Sequence, residues 1–171
     1  MDGHELTQKW CTVLGDKQVG ISTLLSSIRP MEVRINGEMV QLRFNCYTRL
    51  TKLSAQMGFM SSQHDMFLLC FAIDSPFSLQ LLRSNLGPRF KNSVKVVVGT
   101  KLDLRDDPTT TQRLEALGSS TVTYQQGLSC AKDIGAVAYH ECSVLTYKGI
   151  RSLSKVITYA LTTNKLDCNI M

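Results

Sequence analysis

Two short segments contain residue types that bind nucleotides. In the first, Gly15 and Gly20 enclose four residues and are followed by Ile21 and Ser22, which matches the pattern G-x-x-x-x-G-K-[ST] except at the lysine. In such a loop backbone N–H groups close on the phosphates, the lysine neutralises the outer ones, and the hydroxyl ligates magnesium. Ile21 cannot supply that charge. The second segment, Thr100-Lys101-Leu102-Asp103, is a nucleotide-recognition signature.

Composition predicts one soluble domain. The chain has 171 residues, of which 43% are hydrophobic and 19% charged, and it contains no apolar run of the roughly 20 residues that a membrane helix needs. The first residues lack the layout of a secretory signal. The six cysteines are scattered without a C-x-x-C pair, so we expect reduced thiols in the cytosol and neither disulfides nor a zinc site.

The net charge of +5 is modest. No run of Lys and Arg is long enough for a nucleic-acid-binding arm, so no nucleic-acid partner is expected. The basic residues form either a solvated face or a surface attracted to anionic membranes. They include Arg29, Arg34, Arg43, Arg49 and Lys52.

Periodicity predicts the elements of the first half. A strand over residues 9–14 runs into the glycine loop, and a helix over 22–28 follows it and ends before Pro30. Residues 33–44 alternate with period two around Asn36-Gly37, which is typical of an antiparallel hairpin. Residues 46–64 show no clear period and predict a connection with at most one irregular helix.

The second half alternates between strands and helices. Residues 66–73 and 94–98 are apolar runs typical of strands buried on both faces, with a crossover helix predicted over 76–90. Further helices are predicted over 109–117, 125–134 and 150–161, and a last strand over 138–142. This order predicts an α/β fold in which a mostly parallel six-stranded sheet, with the hairpin at one edge, has helices on both faces. The glycine loop, residues 100–103 and residues 142–144 then share the ligand-binding edge.

An ordered series of motifs resembles the small GTPases of the Rho family in the Ras superfamily, and the Rac type most of all. The similarity covers nearly the whole chain and is carried by residues 15–20, 98–107, 123–128, 131–137, 141–146 and 168–171. Residues 106–122 also resemble the helical insert that distinguishes Rho proteins. The resemblance implies a Ras-like phosphate-loop domain over residues 1–163 and a C-terminal tail over 164–171.

The resemblance also assigns a nucleotide site. In that family the aspartate at the position of Asp103 accepts two hydrogen bonds from guanine, the lysine stem at Lys101 packs along the base, and a backbone N–H at Val144 binds the guanine oxygen. Since Val144 replaces a smaller residue, weaker base binding is expected. The implied cofactors are GTP or GDP and Mg²⁺, with Ser22 as the metal ligand. The implied site comprises Gly15, Asp16, Lys17, Gln18, Val19, Gly20, Ile21, Ser22, Thr23, Thr100, Lys101, Asp103, Leu104, Cys142, Ser143 and Val144.

The phosphate side departs from the family pattern beyond Ile21. Lys17 replaces a glycine beside the γ-phosphate, and its side chain either faces solvent or swings toward the phosphates. The family's D-T-A-G-Q motif falls on residues 46–50, Cys-Tyr-Thr-Arg-Leu, so the magnesium-linked aspartate and the water-orienting glutamine are lost. The chain between Ser22 and Gly37 is also shorter than in the family, so the first switch loop and its threonine are missing. We expect no catalytic residue.

These losses leave three interpretations open. Each hydrogen bond lost to a charged group costs about 1.5–3 kcal/mol, so losing the lysine, aspartate and threonine weakens phosphate binding by about 5–9 kcal/mol, and hydrolysis falls further. The first interpretation is a Rho-type signalling protein that binds guanine nucleotide with impaired or absent hydrolysis. The second is a nucleotide-independent pseudo-GTPase that binds Rho regulators or effectors. The third is a non-functional degenerate product, and whether the chain is an enzyme stays open.

The last four residues fit a lipidation motif. Cys168-Asn169-Ile170-Met171 matches C-a-a-X, in which the final methionine favours farnesylation of Cys168. No polybasic stretch precedes it, so a single prenyl chain would bind membranes reversibly. We expect a cytoplasmic monomer with peripheral attachment to the inner face of the plasma membrane.

Overall fold

Six strands form one sheet in the computed structural model, which describes residues 7–28, 31–48 and 64–163. The strand order is β2-β3-β1-β4-β5-β6, and every neighbouring pair is parallel except β2 with β3. The predicted mostly parallel sheet with the hairpin at one edge is therefore confirmed. The strands are β1 (Thr7–Leu14), β2 (Met31–Ile35), β3 (Glu38–Tyr47), β4 (Met66–Ala72), β5 (Lys95–Thr100) and β6 (Ala138–Glu141).

Helices cover both faces of the sheet, as predicted. One face packs against α1 and α5, and the other packs against α2 and α4. None of the helices within the described ranges combines the length and apolar character needed to cross a bilayer. The α-helices are α1 (Ile21–Ile28), α2 (Pro76–Leu81), α3 (Pro108–Ala116), α4 (Tyr124–Asp133) and α5 (Ile150–Thr162).

The hairpin turn lies where its sequence places it. Asn36 and Gly37 both have positive φ angles, 51° and 90°, as the favoured two-residue hairpin turn requires. The prediction that the following connection begins at residue 46 is wrong at its start, because β3 continues to Tyr47, which pairs with Leu14 of β1. Pairing with the parallel strand β1 extends β3 beyond the point where the period-two alternation of its sequence ends. Most of the predicted connection, residues 49–63, lies outside the described residues.

The predicted crossover helix over 76–90 is not one continuous helix. After α2 the chain forms a π-helical turn at Leu82–Leu86 and a 3₁₀ turn at Pro88–Phe90. Gly87 separates them, and a Cβ atom there would lie 2.4 Å from the Cγ2 atom of Ile134. The break therefore lies where the chain passes the end of α4 too closely for a side chain, a tertiary contact that periodicity does not report.

Four of the five cysteines in the described ranges lie in the core, and none of the five forms a disulfide. Cys11, Cys70, Cys130 and Cys142 are buried, whereas Cys46 is exposed. Burial raises the pKa of Cys11 and of Cys142 to about 12, so both thiols stay protonated at neutral pH. Within those ranges no three His, Cys, Asp or Glu side chains are grouped to hold a metal ion.

A buried lysine closes the loop before β5. Lys95 is fully buried, and its ammonium donates hydrogen bonds to the carbonyls of Phe90 at 2.8 Å, Lys91 at 3.3 Å and Ser93 at 3.3 Å. Burial lowers the pKa of this lysine. The three carbonyl oxygens accept hydrogen bonds from the ammonium in place of water. They belong to the segment that leads directly into β5.

Replacing this lysine should destabilise the fold. In Lys95→Met the carbonyls lose their charged donor, so we expect the free energy of unfolding to fall by about 2–3 kcal/mol. Urea denaturation with an unchanged m-value measures this loss. Lys91→Met removes an exposed side chain nearby and should change stability by less than about 0.5 kcal/mol. Equal effects of both substitutions would contradict the role assigned to Lys95.

Candidate functional site

Five strands end at one edge of the sheet, because β1, β3, β4, β5 and β6 are mutually parallel. The three predicted site segments follow β1, β5 and β6, so the structure brings them to this edge. The residues after β4 join them there. Ligands bind at this edge in open α/β sheets.

Asp103 is held by a buried serine. Its Oδ1 atom accepts a hydrogen bond from Ser143 Oγ at 2.5 Å, and Ser143 Oγ in turn accepts one from the backbone N–H of Thr146 at 3.1 Å. Ser143 is fully buried, so this contact fixes the aspartate side chain. Within the described part of the chain no group donates to the second carboxylate oxygen, which leaves it available to a ligand.

The loop after β6 presents a backbone donor beside that carboxylate. The N–H of Leu102 donates to the carbonyl of Cys142 at 3.1 Å. This hydrogen bond joins the predicted base-reading loop (residues 100–103) directly to the loop after β6. The N–H of Val144 has no acceptor among the described residues, and the Val144 side chain packs against the core. A carboxylate acceptor and a nearby N–H donor suit a guanine edge, which offers N–H donors and a carbonyl oxygen.

A partly buried ion pair joins the segment after β5 to the end of β6. Arg105 donates to Glu141 through Nη1 at 2.7 Å and Nη2 at 2.5 Å, and Arg105 Nε donates to the carbonyl of Val122 at 3.1 Å. Tyr139 Oη donates to the same carboxylate at 2.5 Å. The hydrogen bond to Glu141 raises the pKa of Arg105, and burial raises the pKa of Tyr139. This bidentate geometry is the strongest form of Arg–carboxylate pairing.

Sequence reasoning used Arg105 and Glu141 as parts of motifs and assigned them no contact. They lie 36 positions apart, and one-dimensional spacing does not pair them. The signal in the sequence was proximity to predicted site residues, because Arg105 is two residues from Asp103 and Glu141 is two residues from Ser143.

Thr100 joins the base-reading side to the phosphate loop. This side chain is 4% exposed, and its Oγ1 donates to the carbonyl of Val19 at 2.7 Å and to that of Phe71 at 3.0 Å. The threonine therefore connects the end of β5 to the loop after β1 and to β4. Thr100 is a predicted site residue, and in the structure its hydroxyl bonds to two neighbouring backbone segments.

The phosphate loop forms a tight turn with internal hydrogen bonds. Asp16 caps it by accepting the N–H of Lys17 at 2.8 Å, and the N–H of Val19 donates to the carbonyl of Asp16 at 3.1 Å. Gly20 has φ of 79°, a left-handed conformation that glycine adopts without strain. The loop therefore forms a 3₁₀ turn (Lys17–Val19) that ends at Gly20, directly before α1.

Ile21 points into the protein rather than toward a ligand. It is 1% exposed and belongs to the core beneath α1. A Cβ atom on Gly15 would lie 2.8 Å from Ile21 Cδ1 and 2.8 Å from the carbonyl oxygen of Cys70, so the isoleucine fills the space between the loop and β4. Among the described residues of the phosphate side, no buried cation takes the place of the lost lysine.

Four of the predicted phosphate-side residues are exposed, whereas Gly15 and Val19 are buried. The exposed members are Lys17, Gln18, Ser22 and Thr23, whereas Leu104, in a 3₁₀ turn (Leu102–Leu104) on the base side, is half-buried. Only two residues separate α1 from β2, so Ile28 and Met31 are at most about 11 Å apart, and the chain here is too short for the family's first switch loop.

The family's magnesium-linked aspartate corresponds to Cys46, the last residue but one of β3. Cys46 is exposed and lies opposite Val13 of β1, and the carbonyl of Tyr47 accepts the N–H of Gly15 at 3.3 Å. A thiol is a poor ligand for the hard Mg²⁺ ion. Ser22 is then the one predicted magnesium ligand in the described ranges, and one hydroxyl does not make a magnesium site.

This fold, with a glycine loop after β1 and a base-reading loop after β5, defines an α/β nucleotide-binding domain of the phosphate-loop type. A family model described as "Ras family" matches residues 45–164. The chain belongs to the Ras family and is a small GTPase-like protein, of a family that binds guanine nucleotide. The matched range includes both base-reading loops, and the altered glycine loop precedes it.

Removing the Thr100 hydroxyl should loosen the phosphate loop. Thr100→Val keeps the shape but leaves two buried carbonyls without their donor, so we expect a loss of about 1–3 kcal/mol in stability. Faster amide hydrogen exchange at residues 16–20 than elsewhere in the core would report the loosened loop.

Thr158→Val supplies the matched control, because the Thr158 hydroxyl bonds only to Ser154 within α5. The control should leave exchange in the loop unchanged. Unaltered exchange at residues 16–20 in Thr100→Val would show that the hydroxyl does not hold the loop.

Proposed function

We propose that this protein is a Rho-type, Rac-like signalling GTPase homologue that binds GTP or GDP through its base-reading half, with hydrolysis strongly impaired or absent. The supporting observation is the contrast between the two halves. Asp103 is fixed by Ser143 with one carboxylate oxygen unengaged, whereas Ile21 is packed into the core. The Rho and Rac assignment is supported by motifs such as the insert-like segment at residues 106–122.

Impaired hydrolysis follows from what the phosphate side presents. Phosphoryl transfer depends on positioning and on stabilising charge at the transferred group. The described residues place an isoleucine where the lysine is needed and a thiol where the magnesium-linked carboxylate is needed. No side chain at these positions can neutralise developing negative charge.

A nucleotide-independent binding module for Rho regulators or effectors is the second candidate. It is favoured by the packing of Ile21, which completes the core without a ligand. A degenerate, non-functional product is the third interpretation, and it predicts no cooperative unfolding. Binding of GDP distinguishes the first candidate from the second.

Lipidation stays a prediction, because residues 164–171 lie outside the described residues. Farnesylation of Cys168 would attach the protein reversibly to the inner face of the plasma membrane. The supporting observation is the C-a-a-X pattern in a Ras-family chain. The cytoplasmic location, the monomeric state and the tail at 164–171 are parts of the same proposal.

GDP should raise the thermal stability of the purified protein. At a GDP concentration of about 100 times Kd the gain is about 2.7 kcal/mol, which corresponds to a rise in Tm of roughly 5–10 °C for a domain of this size. ADP should give no comparable rise, because Asp103 selects for guanine. Thermal unfolding with GDP, ADP and no ligand measures the difference.

Asp103→Ala should abolish the GDP-dependent shift, whereas Asp106→Ala, at an exposed position in the same segment, should retain it. No shift in well-folded wild-type protein would favour the nucleotide-independent module. A shift retained in Asp103→Ala would place the ligand elsewhere.

Restoring the lysine should strengthen nucleotide binding. In Ile21→Lys the ammonium can reach bound phosphates, and one charged hydrogen bond of about 1.5–3 kcal/mol corresponds to roughly a 10- to 150-fold gain in GDP affinity. Because Ile21 is buried, the ligand-free variant should have a lower Tm than wild type. Calorimetric titration with GDP measures the affinity.

Ile21→Met is the matched control, since it keeps an apolar side chain of similar size and adds no charge. It should leave GDP affinity within about twofold of wild type. If Ile21→Lys folds and binds GDP no more tightly than Ile21→Met, the phosphates do not lie over this loop.

A further inference from the structure

An acidic side chain lies at the rim of the base-reading loop without belonging to any site motif. Asp74 follows β4, and its side chain is 16% exposed. Its Oδ1 atom lies 3.4 Å from Lys101 Nζ, and its Oδ2 atom lies 3.7 Å from Arg113 Nη2 in α3. The carboxylate therefore contacts one cation from the predicted base site and one from the insert-like segment.

This arrangement is poorly suited to stabilising the fold. Asp74 Oδ1 is buried and has no hydrogen bond within the described part of the chain, although the Lys101 ammonium is within ion-pair distance. Burying a carboxylate costs more than such a contact returns unless hydrogen bonds satisfy it. Stability of the fold alone does not account for an acid at this position.

Lys101 has a long, partly exposed side chain that the contact with Asp74 restricts. The lysine backbone is in the left-handed conformation, with φ 57° and ψ 42°, and its side chain is 34% exposed. A free lysine side chain loses rotamer entropy when a ligand orders it. An anchor on the ammonium orders the stem before the ligand arrives, so less affinity is lost on binding.

We propose that Asp74 is a positioning residue for the base site, which holds the Lys101 ammonium so that the lysine stem is preset to lie along a bound guanine. This inference rests on the proposed binding of guanine nucleotide and deepens it. Asp74 acts through Lys101 and does not itself contact the base.

Calorimetric titration of the full chain with GDP tests the proposal. Asp74→Asn keeps the shape and removes the charge, so GDP affinity should fall about three- to tenfold while the Tm of ligand-free protein stays equal or rises. Asp133→Asn breaks the exposed pair with Arg83 and should change neither quantity. In a Lys101→Met background, Asp74→Asn should have no further effect on affinity.

Arg113→Met separates positioning of Lys101 from anchoring of α3. It should leave GDP affinity unchanged, because Lys101 keeps its carboxylate partner. The proposal is overturned if Arg113→Met lowers affinity as much as Asp74→Asn does, if Asp74→Asn binds GDP like wild type, or if the two substitutions at 74 and 101 are additive. Absence of saturable GDP binding in wild-type protein overturns the proposed function and this inference together, whereas the other outcomes concern Asp74 alone.

Discussion

One buried hydroxyl determines how the two halves of the site are placed. The single proton of Thr100 Oγ1 is shared between the carbonyls of Val19 and Phe71, which belong to the phosphate loop and to β4. Among the described residues, the loop is also anchored to the sheet by the N–H of Gly15, which donates to the carbonyl of Tyr47. Because Thr100 also begins the base-reading segment, a shift of that segment is transmitted to the loop.

The two halves are stabilised by different forces. Around the base, charged hydrogen bonds between Arg105 and Glu141 and between Ser143 and Asp103 fix polar groups in a partly buried environment, where such bonds are strong. Around the phosphate loop, the apolar side chain of Ile21 packs against Gly15 and β4. The base side stays polar and organised for a ligand, whereas the phosphate side is completed by the core.

The sequence predicts this fold well where a local pattern decides the structure. Asn36-Gly37 and its alternating flanks specify the hairpin, and the apolar run at 66–73 marks a strand covered on both faces. Prediction fails at the crossover, where the α-helix ends at Leu81 and a π-helical turn follows before Gly87, and at Lys95, which is buried inside a strand because three carbonyls receive its ammonium.

The site follows the same division. Motif spacing identifies Thr100, Lys101 and Asp103, because these residues are contiguous in the chain. The contacts of Asp74 and Arg105 with them depend on which strands are neighbours and on where side chains extend, and neither quantity is periodic. Motifs thus predict candidate binding residues, and the tertiary structure adds the residues that contact them.

The packing of Ile21 explains how a nucleotide domain can remain folded after its phosphate contacts are lost. A lysine at this buried position would need phosphate oxygens to satisfy its charge, so the stability of such a site depends on its ligand. Full burial of an isoleucine contributes about 1.5–3 kcal/mol regardless of ligand. Under the proposed function, the isoleucine therefore weakens phosphate binding and makes folding less dependent on nucleotide, whereas the base-reading half keeps its own contacts between β5, β6 and the loops that follow them.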